Sequence, residues 1–198
     1  MIKNIVFDMG NVILRWDPKY IASKLSDDVQ EQELIEKELF ASKIWQMLDQ
    51  GMLSLDEALQ QINEPLLKNA LMHWHDYFEP FEEMVPLIKE LKEHGYSIYL
   101  LSNCSVQFDD YYQRIEAFKY FDGFYISAYH QLLKPDIKIY QDFLTTFDLL
   151  SEECVFIDDV LENVNGAKVA KMAAYLHDGD VKKLRLYLKN CHDLPIIY

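Results

Sequence analysis

Four short runs rich in Val, Ile, Phe and Tyr punctuate the chain: NIVFDM at 4–9, YSIYLLS at 96–102, GFYIS at 123–127 and CVFID at 154–158. A weaker fifth, AAYL, lies at 173–176. They are apolar at successive rather than alternate positions, which suits strands covered on both faces, as in a parallel sheet. Between the later runs the spacing becomes helical: FEEMVPLIKELKEHG, VQFDDYYQRIEAF, DIKIYQDFLTTFDL and LENVNGAKVAKM each precede a strand. In VPLIKELKEHG, Val85, Ile88, Leu91 and Lys92 follow helical spacing, and Gly95 supplies the stop. Alternating strand and helix predicts an α/β domain with right-handed crossovers, a Rossmann-like, doubly wound parallel sheet.

One interval breaks the alternation. Residues 15–82 read entirely as helix, in the segments PKYIASKL, EQELIEKELFASKIWQMLDQG, SLDEALQQI and LLKNALMHWHDYF, with Ser54 or Asp56 placed to cap the third. The expected organisation is therefore a core domain of residues 1–14 and 83–198 that carries a helical cap domain, residues 15–82, in the loop after its first strand.

Composition narrows the partners. In 198 residues, 33 acidic against 19 basic side chains give a net charge of −14, which repels a phosphate backbone, so nucleic acid is not expected. Half the residues are hydrophobic, yet no stretch reaches the length of a membrane span, and MIKNIVFDMG is too short and too soon acidic for a signal peptide. Cys104, Cys154 and Cys191 are odd in number, far apart and without a CxxC pair, which fits a reducing, cytoplasmic setting.

In an open parallel sheet ligands bind beyond the carboxyl ends of the strands. The polar residues there are Asp8, Ser102 with Asn103, and Asp158 with Asp159, while Lys134 follows the third strand in LLKPD. Singly, each is an ordinary turn former, helix cap or solvated loop residue. Together, in one order at one sheet edge, they suit phosphoryl transfer through an aspartyl phosphate. Asp8 would attack, Lys134 and Mg²⁺ held by the carboxylates would offset like-charge repulsion, and Ser102 with loop N–H groups would bind phosphoryl oxygens.

The ordered set FDMGNV, LLSN, KPD and FIDDVLENVNGA resembles the four motifs of the haloacid dehalogenase superfamily of hydrolases, over the whole core. DxGNV with DDxxxN is most similar to the branch containing glucose-1-phosphatase and the phosphatase domain joined to epoxide hydrolase. The resemblance implies Asp8 as nucleophile and metal ligand, the Gly10 carbonyl and Asp159 as direct metal ligands, and Asp158 as a further ligand through water. It implies that Ser102, Asn103 and Asn11 contact the phosphoryl group, that Lys134 bridges nucleophile and phosphate, and that Asn163 orders the acidic loop. Gly10 is the departure, because most phosphatases of the superfamily carry there a second Asp that serves as general acid and base. Such help is worth roughly 10²–10⁴ in rate. Asp17 offers a substitute, although a cap for the helix starting near Pro18 is the better account of it.

The expected activity is a Mg²⁺-dependent phosphatase acting on a small phosphorylated metabolite, sugar phosphates favoured, as a monomer or homodimer. The alternatives are a 2-haloacid dehalogenase, which needs neither metal nor acid, and a catalytically weak regulatory protein that binds a phosphometabolite. The acidic pair Asp158–Asp159 weighs against the dehalogenase, since crowded carboxylates need a cation. Of the aromatic residues Trp16, Trp45, Trp74, Tyr77 and Phe78, most are expected to pack within the cap. His130 is expected to be solvated, and the role of the terminal LPIIY is open.

Overall fold

The computed structural model describes residues 1–192, with side chains through Asn190; the terminal LPIIY lies outside the described residues. Five parallel strands form one sheet: β1 (Asn4–Phe7), β4 (Ser97–Ser102), β5 (Gly123–Ile126), β6 (Cys154–Asp158) and β7 (Ala173–Leu176), in the order β5-β4-β1-β6-β7. Strand β1 is central, with Asn4 in register with both Ser97 and Cys154. The order reverses at β1, which creates the crevice where such sheets take ligands.

The uninterrupted apolar runs are explained by two hydrophobic layers. Ile5, Phe7, Ile98, Leu100, Val155 and Ile157 face one layer, while Val6, Leu101, Tyr125 and Phe156 face the other. Helix α6 (Met84–Glu93) covers the first layer through Met84, Leu87, Ile88 and Leu91. The buried stripe is thus turned by about one residue from the spacing predicted through Val85 and Lys92, both of which are only half-buried. Each buried Leu, Ile or Met side chain contributes roughly 1.5–3 kcal/mol relative to exposure. Helices α9 (Ile137–Thr146) and α10 (Leu161–Val169) cover the second layer, with Ile139, Tyr140, Phe143 and Ala167.

The helical segment leaves the core at β2 (Leu14–Arg15) and returns at β3 (Glu79–Pro80), two short strands paired antiparallel. Between them run α1 (Pro18–Leu25), α2 (Val29–Ile35), α3 (Lys43–Asp49), α4 (Leu55–Gln61) and α5 (Pro65–His73). Asp17 caps α1 by accepting from the Tyr20 N–H at 3.0 Å, and Ser54, not Asp56, caps α4 in a reciprocal capping box with Glu57.

Two expected helices are broken. The stretch 31–51 is not one rod: α2 runs into a π turn at Glu36–Phe40, and the Ser42 hydroxyl, accepting from the Trp45 N–H, starts α3 afresh. Residues 106–118 form only α7 (Phe108–Tyr111) and two 3₁₀ turns, because Ile115 is extended between them. There Phe108, Tyr112, Phe118 and Phe124 pack their rings together, and this packing outweighs the helical pattern. Among the described residues no helix is long and apolar enough to cross a membrane.

Candidate active site

Asp8 follows β1 directly, and its N–H donates to the Ile157 carbonyl at 2.8 Å, which fixes the carboxylate at the carboxyl edge of the two central strands. Ser102 ends β4 and Asp158 ends β6. Lys134 arrives from the loop after α8 (Ser127–His130), and its backbone is clamped by Asn103. The Asn103 Nδ2 donates to the Lys134 carbonyl at 3.0 Å, and its Oδ1 accepts from the Lys134 N–H at 2.9 Å. Parallel strands therefore bring together residues that are distant in sequence.

The Lys134 ammonium is shared. Its Nζ lies 2.7 Å from Asp8 Oδ1 and 2.7 Å from Asp158 Oδ2. Asp158 is fully buried, and Lys134 and Asp8 are 5% and 8% exposed, so water screens little of this charge. Both Asp158 oxygens also accept from Asn163 Nδ2 at 3.1 Å, and Oδ1 accepts from the Val160 N–H at 2.8 Å. Asp158 is thereby engaged with its own loop and with Lys134, whereas the half-buried Asp159 lines the cavity. Asn11, at φ 52°, joins this loop to the first strand: its Nδ2 donates to Asp159 Oδ2 at 3.1 Å and its Oδ1 accepts from the Trp16 N–H at 3.0 Å.

Carboxylate oxygens of Asp8, Asp158 and Asp159 all lie within 4.8 Å of one another. Three carboxylates against one ammonium leave the cluster negative. Burial pushes the Asp8 carboxyl up to about 7, with Lys134 opposing and Asp158 adding to the rise. Asp159 is also raised, mainly by burial. Burial alone would depress the Lys134 ammonium, but the two carboxylates outweigh it and hold its pKa above the ordinary value. An all-oxygen, net-negative donor set fits a hard divalent cation such as Mg²⁺.

Above the cluster opens a cavity of about 290 Å³. Its floor is formed by Asp8, Gly10, Asn11, Ser102, Asn103, Lys134, Asp159 and Asn163. Its upper wall is aromatic: Trp16, Trp45 and Trp74, with Tyr111 from the core. Trp16 stacks on Trp45 at 5.4 Å, and Trp74 meets both edge-on. All five aromatic residues pack, as expected for most of them, and the three indoles line the cavity as well; Tyr77 and Phe78 do not.

Gly10 is not in the left-handed region, so its backbone does not require glycine. A β-carbon there would instead stand 3.3 Å from Trp16 Cβ. Asp17 lies outside the cavity lining, paired with Arg15 at 2.6 Å and capping α1. His130 is not solvated freely: it stacks on Tyr125 at 3.8 Å, with Nδ1 3.0 Å from Asp142, away from the cavity. Asp49 was not foreseen. It ends α3 and lines the cavity four residues after Trp45, a spacing that puts both on one helix face and could have flagged it.

Residues 2–171 match the haloacid dehalogenase-like hydrolase family. The chain belongs to this family. It is 26% identical to a sesquiterpene phosphatase of Aspergillus oryzae over 86% of this chain and 87% of that one. It is 27% identical to a D-ribitol-5-phosphate phosphatase of Bacteroides thetaiotaomicron, over 85% and 88% respectively. A haloacid dehalogenase-like enzyme of B. thetaiotaomicron, crystallised with magnesium and inorganic phosphate, superposes with a TM-score of 0.74 at 21% identity, covering 93% of this chain and 99% of that one.

Proposed function

We propose that the protein is a Mg²⁺-dependent phosphatase that hydrolyses a small organic phosphate monoester through an aspartyl phosphate on Asp8. The observation that carries this reading is the buried Lys134 ammonium, 2.7 Å from both Asp8 and Asp158, on the floor of a cavity large enough for a small organic group. Relatives named as phosphatases for sesquiterpene and ribitol phosphates support the reaction class.

Asp8 Oδ would attack phosphorus, so it must be ionised in a site that pushes its pKa up to about 7. Lys134 lowers the repulsion between the carboxylate and the incoming phosphoryl oxygens, and Asp158 with Asn163 holds Lys134 in place. Asp8, Asp159 and the Gly10 carbonyl are the residues proposed to hold Mg²⁺ directly, with Asp158 as an outer partner. The cation would neutralise the excess carboxylate charge and the phosphoryl oxygens. Ser102, Asn103 and Asn11, which line the cavity floor, would bind the phosphoryl group.

We assign the organic part to the indole wall of the segment between β2 and β3, taken as the cap. Sugar and polyol phosphates are the favoured class, since their C–H faces can lie against Trp16, Trp45 and Trp74. The test is a screen of phosphorylated metabolites with Mg²⁺ and with EDTA. Hydrolysis that EDTA abolishes and Mg²⁺ restores is expected. Activity on 2-chloropropionate that survives EDTA, with no phosphate release from any ester, would instead identify a dehalogenase.

A further inference from the structure

A phosphatase with glycine at residue 10 has no side chain there to protonate the departing alcohol, yet the cavity contains a third kind of carboxyl group. Asp8 and Asp159 belong to the three-carboxylate cluster; Asp49, which lines the same cavity, stands outside that cluster. It also lines a second opening beside it with Trp45, Asn103 and Lys134, which sets it next to the ammonium of the cluster.

We propose that Asp49, presented by the last turn of α3 to the cavity that holds Asp8, is the general acid and base of this enzyme. The inference rests on the phosphatase reading above.

Three observations support it. First, the backbone that carries the carboxyl is held in place. The Asp49 carbonyl accepts from Ser127 Oγ at 2.5 Å, and two residues later Gly51, at φ 69°, packs so closely on the core that a β-carbon would stand 1.9 Å from the Ala128 carbonyl oxygen. The Trp45 indole and the Ser105 N–H lie close enough to the carboxyl to oppose the rise in its pKa. Second, an acid at the carboxyl end of a helix opposes the helix dipole, so the dipole gives no reason for it. Third, burial raises its pKa above the usual carboxylate range, the direction a general acid needs, and the groups facing it, the Cys104 thiol and the Tyr111 phenol, are themselves pushed up by burial.

The steps balance. As an Asp8 oxygen bonds to phosphorus and the ester P–O bond breaks, the leaving oxygen takes the Asp49 proton and departs as the alcohol. Water then attacks the phosphorus of the aspartyl phosphate and gives its proton to the Asp49 carboxylate. The P–O bond to Asp8 breaks, which restores both aspartates and releases inorganic phosphate.

The test compares Mg²⁺-loaded wild type with Asp49→Asn and Asp49→Glu on phosphate monoesters from p-nitrophenyl to simple alkyl. Asp49→Asn should lower kcat for alkyl esters by about 10²–10⁴-fold, the usual worth of general acid help, and that for p-nitrophenyl phosphate only a few-fold. The alkaline fall of kcat on alkyl esters should disappear in Asp49→Asn, and Asp49→Glu should recover part of the rate. An equal loss on all esters, or no loss, overturns the proposal. If Asp49→Asn fails to fold, wild type decides: a shallow dependence of kcat on leaving-group pKa supports an acid in the cavity, and a steep one overturns it. Wild type that hydrolyses no monoester removes the phosphatase reading itself, a result distinct from an active wild type with an unaffected Asp49→Asn.

Discussion

The floor and the wall of the cavity are built by different means. The floor is set by hydrogen bonds between backbone and short polar side chains at strand ends: Asn103 to the Lys134 backbone, Asn163 and the Val160 N–H to Asp158, the Asp8 N–H to Ile157. The wall is set by ring packing among Trp16, Trp45, Trp74 and Phe40, whose centroids lie 4.9–5.6 Å apart in the pairs that touch. On the proposed function, the floor would take the phosphoryl group of any ester and the wall the organic remainder. The two meet where α3 docks on the core, at Asp49, Gly51 and Ser127.

The largest effect is expected from breaking the floor. Asp8→Asn should abolish turnover, because an amide cannot form the acyl phosphate. It should also stabilise the metal-free protein. Asp8 titrates at about 7 in the fold against 3.8 for an ordinary aspartate. The raised value means that the native state favours the protonated form, an advantage complete at low pH and lost as pH rises through about 7. Above that pH the ionised Asp8 weakens the fold. Tm of Asp8→Asn should therefore exceed that of wild type near pH ~8, and the gap should close on acidification toward pH ~4. A lower Tm at the higher pH would show that the link to Lys134 outweighs the desolvation of Asp8.

Breaking the join should come next. Gly51→Ala places a side chain in left-handed backbone, which costs about 1–2 kcal/mol, before any clash with the Ala128 carbonyl oxygen is counted. Urea unfolding should show at least that loss. Rates on alkyl esters should fall more than those on p-nitrophenyl phosphate if the displacement carries Asp49 away. An unchanged stability would mean that the segment shifts freely and that the position of Asp49 is not fixed.

The smallest effect sharpens the wall. Trp16→Leu removes an indole that stacks on Trp45, a contact worth about 0.5–1.5 kcal/mol beyond its buried area. KM for the preferred ester should rise about tenfold, equivalent to ~1.4 kcal/mol, while inhibition by inorganic phosphate stays the same. If phosphate inhibition weakens equally, floor and wall are not separable.

The floor was legible because strand ends obey a strong rule. Apolar runs give the strands, a parallel sheet brings their carboxyl ends to one edge, and Asp8, Ser102, Asp158 and Lys134 then fall together without knowledge of any contact. The wall was not legible. Helical spacing marks a face as apolar but does not distinguish a ring that fills the cap from one that also borders a cavity, and Trp16, Trp45 and Trp74 do both. The break at Ser42 and the collapse of 106–118 into short turns escaped for a related reason: local capping and ring packing overrode a periodic pattern.

By itself the sequence determined the layered α/β core, the place of the helical insertion and the charged edge, since each follows from periodicity along the chain. Tertiary structure decided how the charges are shared and what stands over them. One ammonium divided between Asp8 and Asp158, an Asp158 turned inward while Asp159 faces the cavity, and Asp49 brought to that cavity by α3 all depend on distances across the fold. Periodicity says which face of an element is buried. It is silent on which buried groups meet, and in a dry site the meeting of charges sets their protonation and hence their chemistry.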